Sequence, residues 1–519
     1  MDLRSAVVAV ALFTAAVPVV AQKAVPLPRV GVAITPPKGW IELPAGDERG
    51  HLLLRFAAPR ALAAKTGGIA LAPNLRVAYL PSGAATEVEV EGLPRRLPFR
   101  DLDDWIVRGH VRGTTVGSRE DGRIGALEGE RFVAEVPDPA GTRTLIGGAA
   151  AVDGGTLIVV FEILSEHAGK LRKDVERALA SLEQVELDRA ATPVERRWRP
   201  SPQVGDAAAR AAERLQRATA IVAAAESAPE FGWKATKAAP WLVLSAADPG
   251  FTRKAIAAAE AARAWCETKL GSLRPATALP AVLRIFPSPD HYRLFKEGDP
   301  DQREYSAARR ELYFLDDPDA GTSDGYGMVF RAVVWQWLDD ADPDLLSALP
   351  RWLDNGLWEY LRSTRLDRKK IEFIIGEVER GRLDYQNRAG TMPAIWNLMQ
   401  ESIQPSAEDG KDDEPWGYTP ECARLVRWLI DGDGAKVFGK PDLVATYLRG
   451  IADAHRATGP DPTWDVDLLR LSDAQRRVCN QRLFAWRDAL LKSCNDTVVP
   501  LSVEDWNVVN AAWLKYCES

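Results

Sequence analysis

One stretch of the 519-residue chain limits its fold more than any other: "MVFRAVVWQWL", residues 328–338. With helical periodicity its apolar side chains point to almost every side, and only Arg331 and Gln336 interrupt them. A helix of this kind cannot rest on a surface and must be surrounded by other elements. The sequence therefore predicts a large core with this helix inside it. Arg331 then needs a partner, since an unpaired buried cation is very costly.

The composition is that of a globular protein with more than one domain. Hydrophobic residues make up 46% of the chain and charged residues 27%, and the chain is long enough for two or three domains with full cores. The formal net charge is −7, with both signs mixed along the chain. Because no basic face emerges, we predict no nucleic-acid partner.

The first residues, "MDLRSAVVAVALFTAAVPVVAQ", predict export. Arg4 precedes a run of small and apolar residues, and Val19-Val20-Ala21 suits a signal peptidase. We therefore assign residues 1–21 to a signal peptide and expect a periplasmic or secreted protein. Asp2 offsets Arg4, which leaves an uncleaved tether as the alternative. No later stretch has the roughly 20 apolar residues of a spanning helix, so we expect no transmembrane segment after the signal peptide.

Residues 22–188 are predicted to form a first domain with an antiparallel sheet and flanking helices. "GVAITPPKGWIEL" has the pattern of two strands joined by a turn, and Asp153-Gly154-Gly155 is typical of the turn of a later hairpin. The strand-PPxGW-strand opening, a helix near "FRDLDDWIVRGHV" and a final helix ending in "ALASLE" resemble the PsbP-like α/β domains of exported bacterial proteins. The resemblance implies a binding or docking module without catalytic residues.

The remainder divides into three segments. Residues 189–235 hold a Pro-containing linker and an Ala-rich helix, and residues 236–460 begin with strands such as "WLVLSAAD" and "AVLRIF" before a series of helices. Residues 461–519 give two or three amphipathic helices, with Ser502 and Asp505 in a capping-box pattern and Trp506 and Trp513 on the last helix. The predicted fold class is α+β and multidomain: the antiparallel-sheet domain, then a mostly helical domain with a small sheet.

A family resemblance emerges in the second domain. The order strand, long helix, "IFPSPDHYRLF", strand, helix, "LPRWLDNGLWEYL" and a later helix "GYTPECARLVRWLI" resembles the peptidase MA-like branch of the gluzincin metallopeptidases, over about residues 238–455. In that family one helix carries His-Glu-x-x-His and the next carries a third ligand, a Glu. Two His at i and i+4 share one helix face and bind one zinc, and the Glu beside the first His activates the bound water.

The resemblance also implies that the metal site has been lost. Aligned on the Leu-Pro-Arg-Trp turn, Arg331 and Trp335 stand where the two His should be, Ala332 replaces the general base, and Asn355 replaces the Glu ligand. A guanidinium cannot donate a lone pair, indole has no free nitrogen lone pair, and alanine has no titratable group. We therefore predict no zinc, no other cofactor and no catalytic residue at these four positions.

The same alignment suggests what replaced the metal. Arg331 is expected to pair with Asp354 or Glu359, or with backbone carbonyls, since a buried cation needs a counterpart. Trp335 has the bulk to fill the volume that the metal and its ligands vacated. We therefore expect an Arg ion pair and Trp packing to hold the two helices together in place of zinc.

Other candidate sites are weak. No two of the five histidines have a close ligand spacing, and each is expected to be structural. The acidic segment 408–415 lacks the ligand pattern of a calcium loop. Cys266 and Cys422 are expected to be buried and free, whereas the three near the C-terminus could form a clasp such as Cys479 with Cys494 or Cys494 with Cys517. The histidines are His51, His110, His167, His291 and His455.

The expected function is that of an exported, non-catalytic protein. Its peptidase-like domain would serve as a binding or scaffold module of the cell envelope, with a peptide or an envelope protein held in the old cleft. The alternative is a hydrolase or peptidase that uses an unrecognised site, because a fold alone does not decide a function.

Overall fold

A computed structural model describes residues between 23 and 518, with gaps. The predicted signal peptide and the acidic segment 408–415 lie outside the described ranges. No helix in these ranges is both long enough and apolar enough to cross a bilayer. The ranges are 23–43, 52–64, 70–82, 89–90, 92–94, 99, 101–110, 114–137, 141–188, 207–226, 232–273, 280–288, 291–292, 305–306, 310–315, 326–342, 345–367, 370–373, 381, 383, 386–400, 419–463, 466 and 471–518.

Antiparallel strands dominate the N-terminal part. The largest sheet has the strand order β10-β11-β12-β13-β7-β4-β3, and each of its neighbouring strands is antiparallel. The elements are β1 (Val25–Leu27), β2 (Val32–Ile34), β3 (Ile41–Leu43), β4 (Leu52–Ala57), β5 (Leu62–Ala63), β6 (Ala70–Leu71), β7 (Asn74–Pro81), β8 (Glu89–Val90), β9 (Leu93–Pro94), α1 (Leu102–Gly109), β10 (Thr115–Ile124), β11 (Leu127–Val136), β12 (Arg143–Val152), β13 (Gly155–Leu164), α2 (Ser165–Ala180) and β14 (Glu183–Gln184).

Strand alternation gives this sheet two apolar faces, each covered by one helix. On one face Leu75 and Phe161 pack with Leu179 of α2. On the other face Val160 packs with Trp105 of α1. The predicted hairpin turn is confirmed at Asp153 and Gly154, which join β12 to β13, and Gly154 has a φ of +73°, a region that favours glycine.

A buried polar row crosses the face that α1 covers. Glu162 is directly opposite Asn74, and Arg76 follows Asn74 on the same face. Nη2 of Arg76 lies 2.5 Å from Oε2 of Glu162, Arg143 contacts the other carboxylate oxygen, and the Asn74 amide donates to Oε2 at 3.4 Å. Burial alone would raise the pKa of Glu162, but these partners, Arg76 foremost, outweigh it and lower the pKa to about 2.

The second part of the chain is mainly helical around a small mixed sheet. Its elements are α3 (Ala207–Glu226), β15 (Lys234–Ala238), β16 (Trp241–Ser245), α4 (Pro249–Lys269), β17 (Ala281–Phe286), β18 (Tyr305–Ser306), β19 (Glu311–Leu315), α5 (Tyr326–Ala341), α6 (Leu345–Ala348), α7 (Arg351–Arg362), β20 (Thr364–Asp367), β21 (Lys370–Phe373), α8 (Ile395–Gln400), α9 (Thr419–Ile430), α10 (Gly434–Val437), α11 (Leu443–Thr458), α12 (Asp473–Val498) and α13 (Val503–Glu518). The described chain thus mixes helices with antiparallel sheets, as the α+β prediction requires.

The mixed sheet separates two apolar clusters. Its strand order is β15-β16-β17-β19-β18, with β17 parallel to both neighbours and antiparallel pairs at the two edges. Val243 and Phe314 face the cluster that contains α4 and α5. Leu244 and Tyr313, one residue along each strand, face a cluster shared with Ala225 of α3. That second cluster also takes in residues of β3 and β4, so both large sheets contribute to it.

Helix α5 is enclosed as its sequence predicts. Every residue from 329 to 339 is buried, and α5 contacts α4, α7 and the mixed sheet. Helix α7 lies between α5 and α9. The contact with α9 is close because position 356 is glycine: a Cβ atom there would lie 2.7 Å from the carbonyl oxygen of Cys422 and 2.7 Å from Cγ2 of Val426.

The C-terminal helices pack against the second part. Ser502 and Asp505 form the predicted reciprocal cap at the start of α13, with Asp505 N donating to Ser502 Oγ at 3.1 Å. Trp513 is fully buried, stands 5.7 Å from the ring of Trp428 and donates its indole N–H to the carbonyl of Pro393. The last helix is therefore held against the second part by a buried aromatic contact and a hydrogen bond.

The cysteine clasp that the sequence left open does not form. All five cysteines are buried and none is in a disulfide, which was expected for Cys266 and Cys422 only. Cys479 and Cys494 lie on the same helix, α12, and the helical rise of about 1.5 Å per residue holds them roughly 22 Å apart along its axis. Cys494 instead donates its S–H to the carbonyl of Tyr447. Helix continuity, which spacing alone did not reveal, therefore excludes the bond within α12.

Gly356→Ala is expected to destabilise the protein by about 1–3 kcal/mol, because the new methyl group must push α7 away from α9. Gly169→Ala is the matched control: Gly169 is also helical, but a Cβ there meets no atom within 4 Å. This control should be neutral or stabilising by up to about 1 kcal/mol, the gain in helix propensity. Urea unfolding of both variants measures the difference, and equal effects would contradict the close α7–α9 contact.

Glu162→Gln is expected to lower the free energy of unfolding by about 3 kcal/mol near neutral pH. The folded pKa of Glu162 lies below its unfolded value, so its contribution is complete above about pH 4.5 and is lost as the pH falls toward about 2. The difference between wild type and variant should shrink over that window in urea unfolding. Glu135→Gln, at an exposed position of β11, is the control for loss of a carboxylate outside the buried row.

Candidate functional site

The positions that the peptidase resemblance singled out lie on two helices that contact each other, α5 and α7. Arg331 and Trp335 are one turn apart on α5, with exposed fractions of 6% and 4%, and Ala332 is also buried. Asn355 lies on α7 and is only partly buried. Trp352, near the start of α7, is buried with its ring 5.1 Å from that of Tyr447 on α11, and it fixes the end of α7 that follows the turn.

Arg331 contacts an aromatic ring of α7 that the sequence reasoning did not anticipate. Its guanidinium carbon lies 4.5 Å from the centroid of the Trp358 indole, within the range of a cation–π interaction. Arg362 approaches the same indole at 5.4 Å, but its side chain is 56% exposed. The buried guanidinium thus contributes an attraction between α5 and α7 that is stronger than the same contact in water.

The two carboxylates predicted to pair with Arg331 both lie on α7. Glu359 is buried, and its oxygens lie 3.4 Å from Nη1 of Arg362 and 3.4 Å from the hydroxyl of Ser363. Asp354 is partly buried in the first turn, where a negative charge favours the helix N-terminus. The pairing of Arg331 with Asp354 or Glu359 stays a prediction, and so does the idea that Trp335 fills the volume of a lost metal.

Further polar side chains anchor α5 on its other sides. Gln336 accepts the indole N–H of Trp241 at 2.7 Å, a buried bond that ties α5 to β16. At the end of α5, Asp339 accepts both the hydroxyl of Tyr305 and an N–H of Arg310, each at 2.6 Å. Arg310 also lies 2.5 Å from Asp340, whose side chain is 6% exposed, and Tyr305, Arg310 and Asp339 are buried.

This acidic end of α5 was missed in the sequence, although Asp339 and Asp340 directly after an apolar helix were a signal. Arg310 has a φ of +57°, in the left-handed region, and its guanidinium contacts Asp339 at the end of α5. Burial raises the pKa of Tyr305 well above its usual range, and the neighbouring carboxylates add to that effect. A phenol that stays protonated and a guanidinium that stays charged make a clamp for the helix end rather than an acid–base pair.

The two histidines of the second part are apart from this helix pair. Nδ1 of His291 lies 2.8 Å from the hydroxyl of Ser288, and His455 is buried with its ring edge toward Trp486. Within the ranges that the structure describes, no group of three or more His, Cys, Asp or Glu side chains is arranged to hold a metal ion.

Comparison with known proteins adds little. No family model matches the chain, and no curated protein matches it. Among solved structures, a protein of unknown function from Pseudomonas aeruginosa matches 24% of this chain and 78% of its own, with 11% sequence identity and a TM-score of 0.18. A likeness at these values carries no argument about fold or function.

The contact between Arg331 and Trp358 can be measured with a double-mutant cycle of Arg331→Met and Trp358→Leu. We expect a coupling free energy of about 2 kcal/mol, because the cation is buried and the ring is partly buried. The cycle of Arg362→Met with Trp358→Leu is the control on the same ring, and its coupling should be about 0.5 kcal/mol because Arg362 is exposed. Equal couplings from chemical unfolding would refute the role of the buried guanidinium.

Proposed function

We propose that the protein is an exported, non-catalytic metallopeptidase-like protein, a pseudopeptidase that acts as a binding or scaffold module of the cell envelope. The observation that carries the proposal is the buried Arg331 against Trp358. The resemblance assigns this position to the first zinc-binding histidine, and a buried cation there repels a divalent metal as well as lacking a lone pair. Residues 22–188, whose sequence resembles PsbP-like domains, would supply a docking surface.

The rest of the helix pair supports the same proposal. Trp335 and Ala332 are buried beside Arg331 and offer neither a metal ligand nor a general base. Asn355 has an amide in place of the third ligand, and an amide oxygen is a poor ligand for zinc compared with a carboxylate. A substrate cleft that has lost its catalytic groups can still hold a ligand, and we propose a peptide or an envelope protein as the partner.

The purified protein is expected to contain no stoichiometric zinc and to leave casein and a peptide library intact. Elemental analysis after dialysis and a hydrolysis screen with and without a chelator provide the measurement. Stoichiometric zinc, or cleavage that the chelator abolishes, would overturn the proposal in favour of a peptidase. Cleavage that the chelator does not affect would point to the rival, a hydrolase with an unrecognised site.

A restored ligand set is the matched variant: Arg331→His, Ala332→Glu, Trp335→His and Asn355→Glu in one chain. If the gluzincin-like register is right, the four side chains converge and this variant should retain zinc after dialysis, whereas wild type should not. Circular dichroism shows whether the variant is folded. A folded variant that retains no zinc would remove the basis for the register and for the pseudopeptidase.

A further inference from the structure

The buried polar row of the N-terminal sheet shares no residue with the helix pair α5–α7, on which the proposed function rests. Strand register places Asn74, Arg76, Arg143 and Glu162 on one face of three adjacent strands, since residues two apart on a strand share a face. Arg55 of β4 is directly opposite Arg76 of β7 in the strand register, and it is a further buried guanidinium on this face. Charged side chains are seldom buried on a sheet face that packs against the apolar side of a helix. The buried charges of this row therefore need an explanation.

Helix α1 adds a histidine to the row. His110 follows the last residue of α1, and its ring stands edge-on at 5.3 Å from that of Trp105. The charges of Glu162, Arg76 and Arg143 all act on it. Burial, reinforced by the two guanidinium groups, lowers the pKa of His110 to about 4, so at neutral pH the ring is uncharged, with one N–H and one lone pair.

Apart from its arginines, this row has two buried polar atoms without a hydrogen-bond partner among the residues that the structure describes. They are Nε2 of His110 and Oδ1 of Asn74, on side chains that are 8% and 1% exposed. The Asn74 amide is oriented by its bond to Glu162, so its oxygen, which can only accept, lies on the opposite side of the amide from that bond. A buried polar group without a partner costs about 1–3 kcal/mol, and two beside one ion cluster point to a ligand that bonds both.

The charge of the row favours an anionic ligand. Arg76 and Arg143 bind the single carboxylate of Glu162, and Arg55 is a third guanidinium on the same face, so cations outnumber the carboxylate of this row while His110 is neutral. A guanidinium presents its N–H donors in a planar arrangement that matches the oxygens of an anion. The side chains of Arg76 and Arg143 keep 21% and 19% of their surface exposed, so a solute from water can reach them.

We propose that this face of the N-terminal sheet binds a small oxyanion that also carries a hydroxyl hydrogen, of the class of hydrogen phosphate or a hydroxycarboxylate. Arg76 and Arg143 bind its charged oxygens, and Oδ1 of Asn74 accepts its hydroxyl hydrogen. Nε2 of His110 forms a hydrogen bond with a further oxygen of the anion. The site is independent of the helix pair α5–α7, so it stands or falls separately from the pseudopeptidase proposal.

The full chain labelled with ¹³C-histidine tests the site directly, because its five histidines give few signals and His110→Gln identifies one of them. Inorganic phosphate, lactate, acetate and chloride are titrated at constant pH and ionic strength. We expect phosphate and lactate to shift the His110 signal saturably and to leave the other four unmoved. Acetate has no hydroxyl hydrogen for Asn74, so its affinity should be about tenfold lower than that of lactate, the worth of one buried hydrogen bond.

Variants of the arginines separate binding from a general salt effect. Arg76→Gln should weaken phosphate binding at least tenfold. Arg76→Lys keeps the charge but loses the planar pair of N–H donors, so it should weaken binding less. Several outcomes would overturn the proposal: a His110 signal that no anion moves saturably, which would indicate a buried water instead; equal affinity for acetate and lactate; or unchanged phosphate affinity in a folded Arg76→Gln variant. The wild-type titration decides the first two even if a variant fails to fold.

Discussion

The second part of the protein depends on one constraint: a helix enclosed on all sides must satisfy each polar group it carries inside the protein. Helix α5 carries several, and they anchor it in different directions. Gln336 bonds to Trp241 of β16, Arg331 lies against Trp358 of α7, and Asp339 is clamped by Arg310. Apolar packing is non-directional and would tolerate rotation of α5, whereas these contacts fix its rotation and depth.

The same constraint acts on the N-terminal sheet with a different result. There the charged groups cross an apolar face, and the arginines around Glu162 hold its pKa at about 2, so the carboxylate stays ionised. Around α5, the contacts of Gln336, Arg331 and Asp339 link this helix to other elements, which is the property of a scaffold. In the sheet row, Nε2 of His110 and Oδ1 of Asn74 lie beside a cluster in which arginines outnumber the single carboxylate. This excess of positive charge is why we assign structure to the first cluster and an anionic ligand to the second.

Much of the fold could be predicted because it follows from local patterns. The hairpin at Asp153 and Gly154, the cap at Ser502 and Asp505, and the burial of α5 all follow from turn chemistry, capping or periodicity within a few residues. The site could be predicted only in part. The positions Arg331 and Trp335 were identified, but the contact with Trp358 depends on how α7 rotates against α5, and no local pattern encodes that rotation.

The sequence by itself determined where charged residues interrupt apolar segments, and Arg331 was recognised because burying a charge is costly. Asp339 in α5 and Glu162 in β13 interrupt apolar segments in the same way, but they were not singled out. Only the tertiary structure decided the partners. Arg310 meets Asp339 from 29 residues away, and Asn74 meets Glu162 from 88 residues away. Partners at such separations are set by strand register and helix packing, which depend on the whole chain at once.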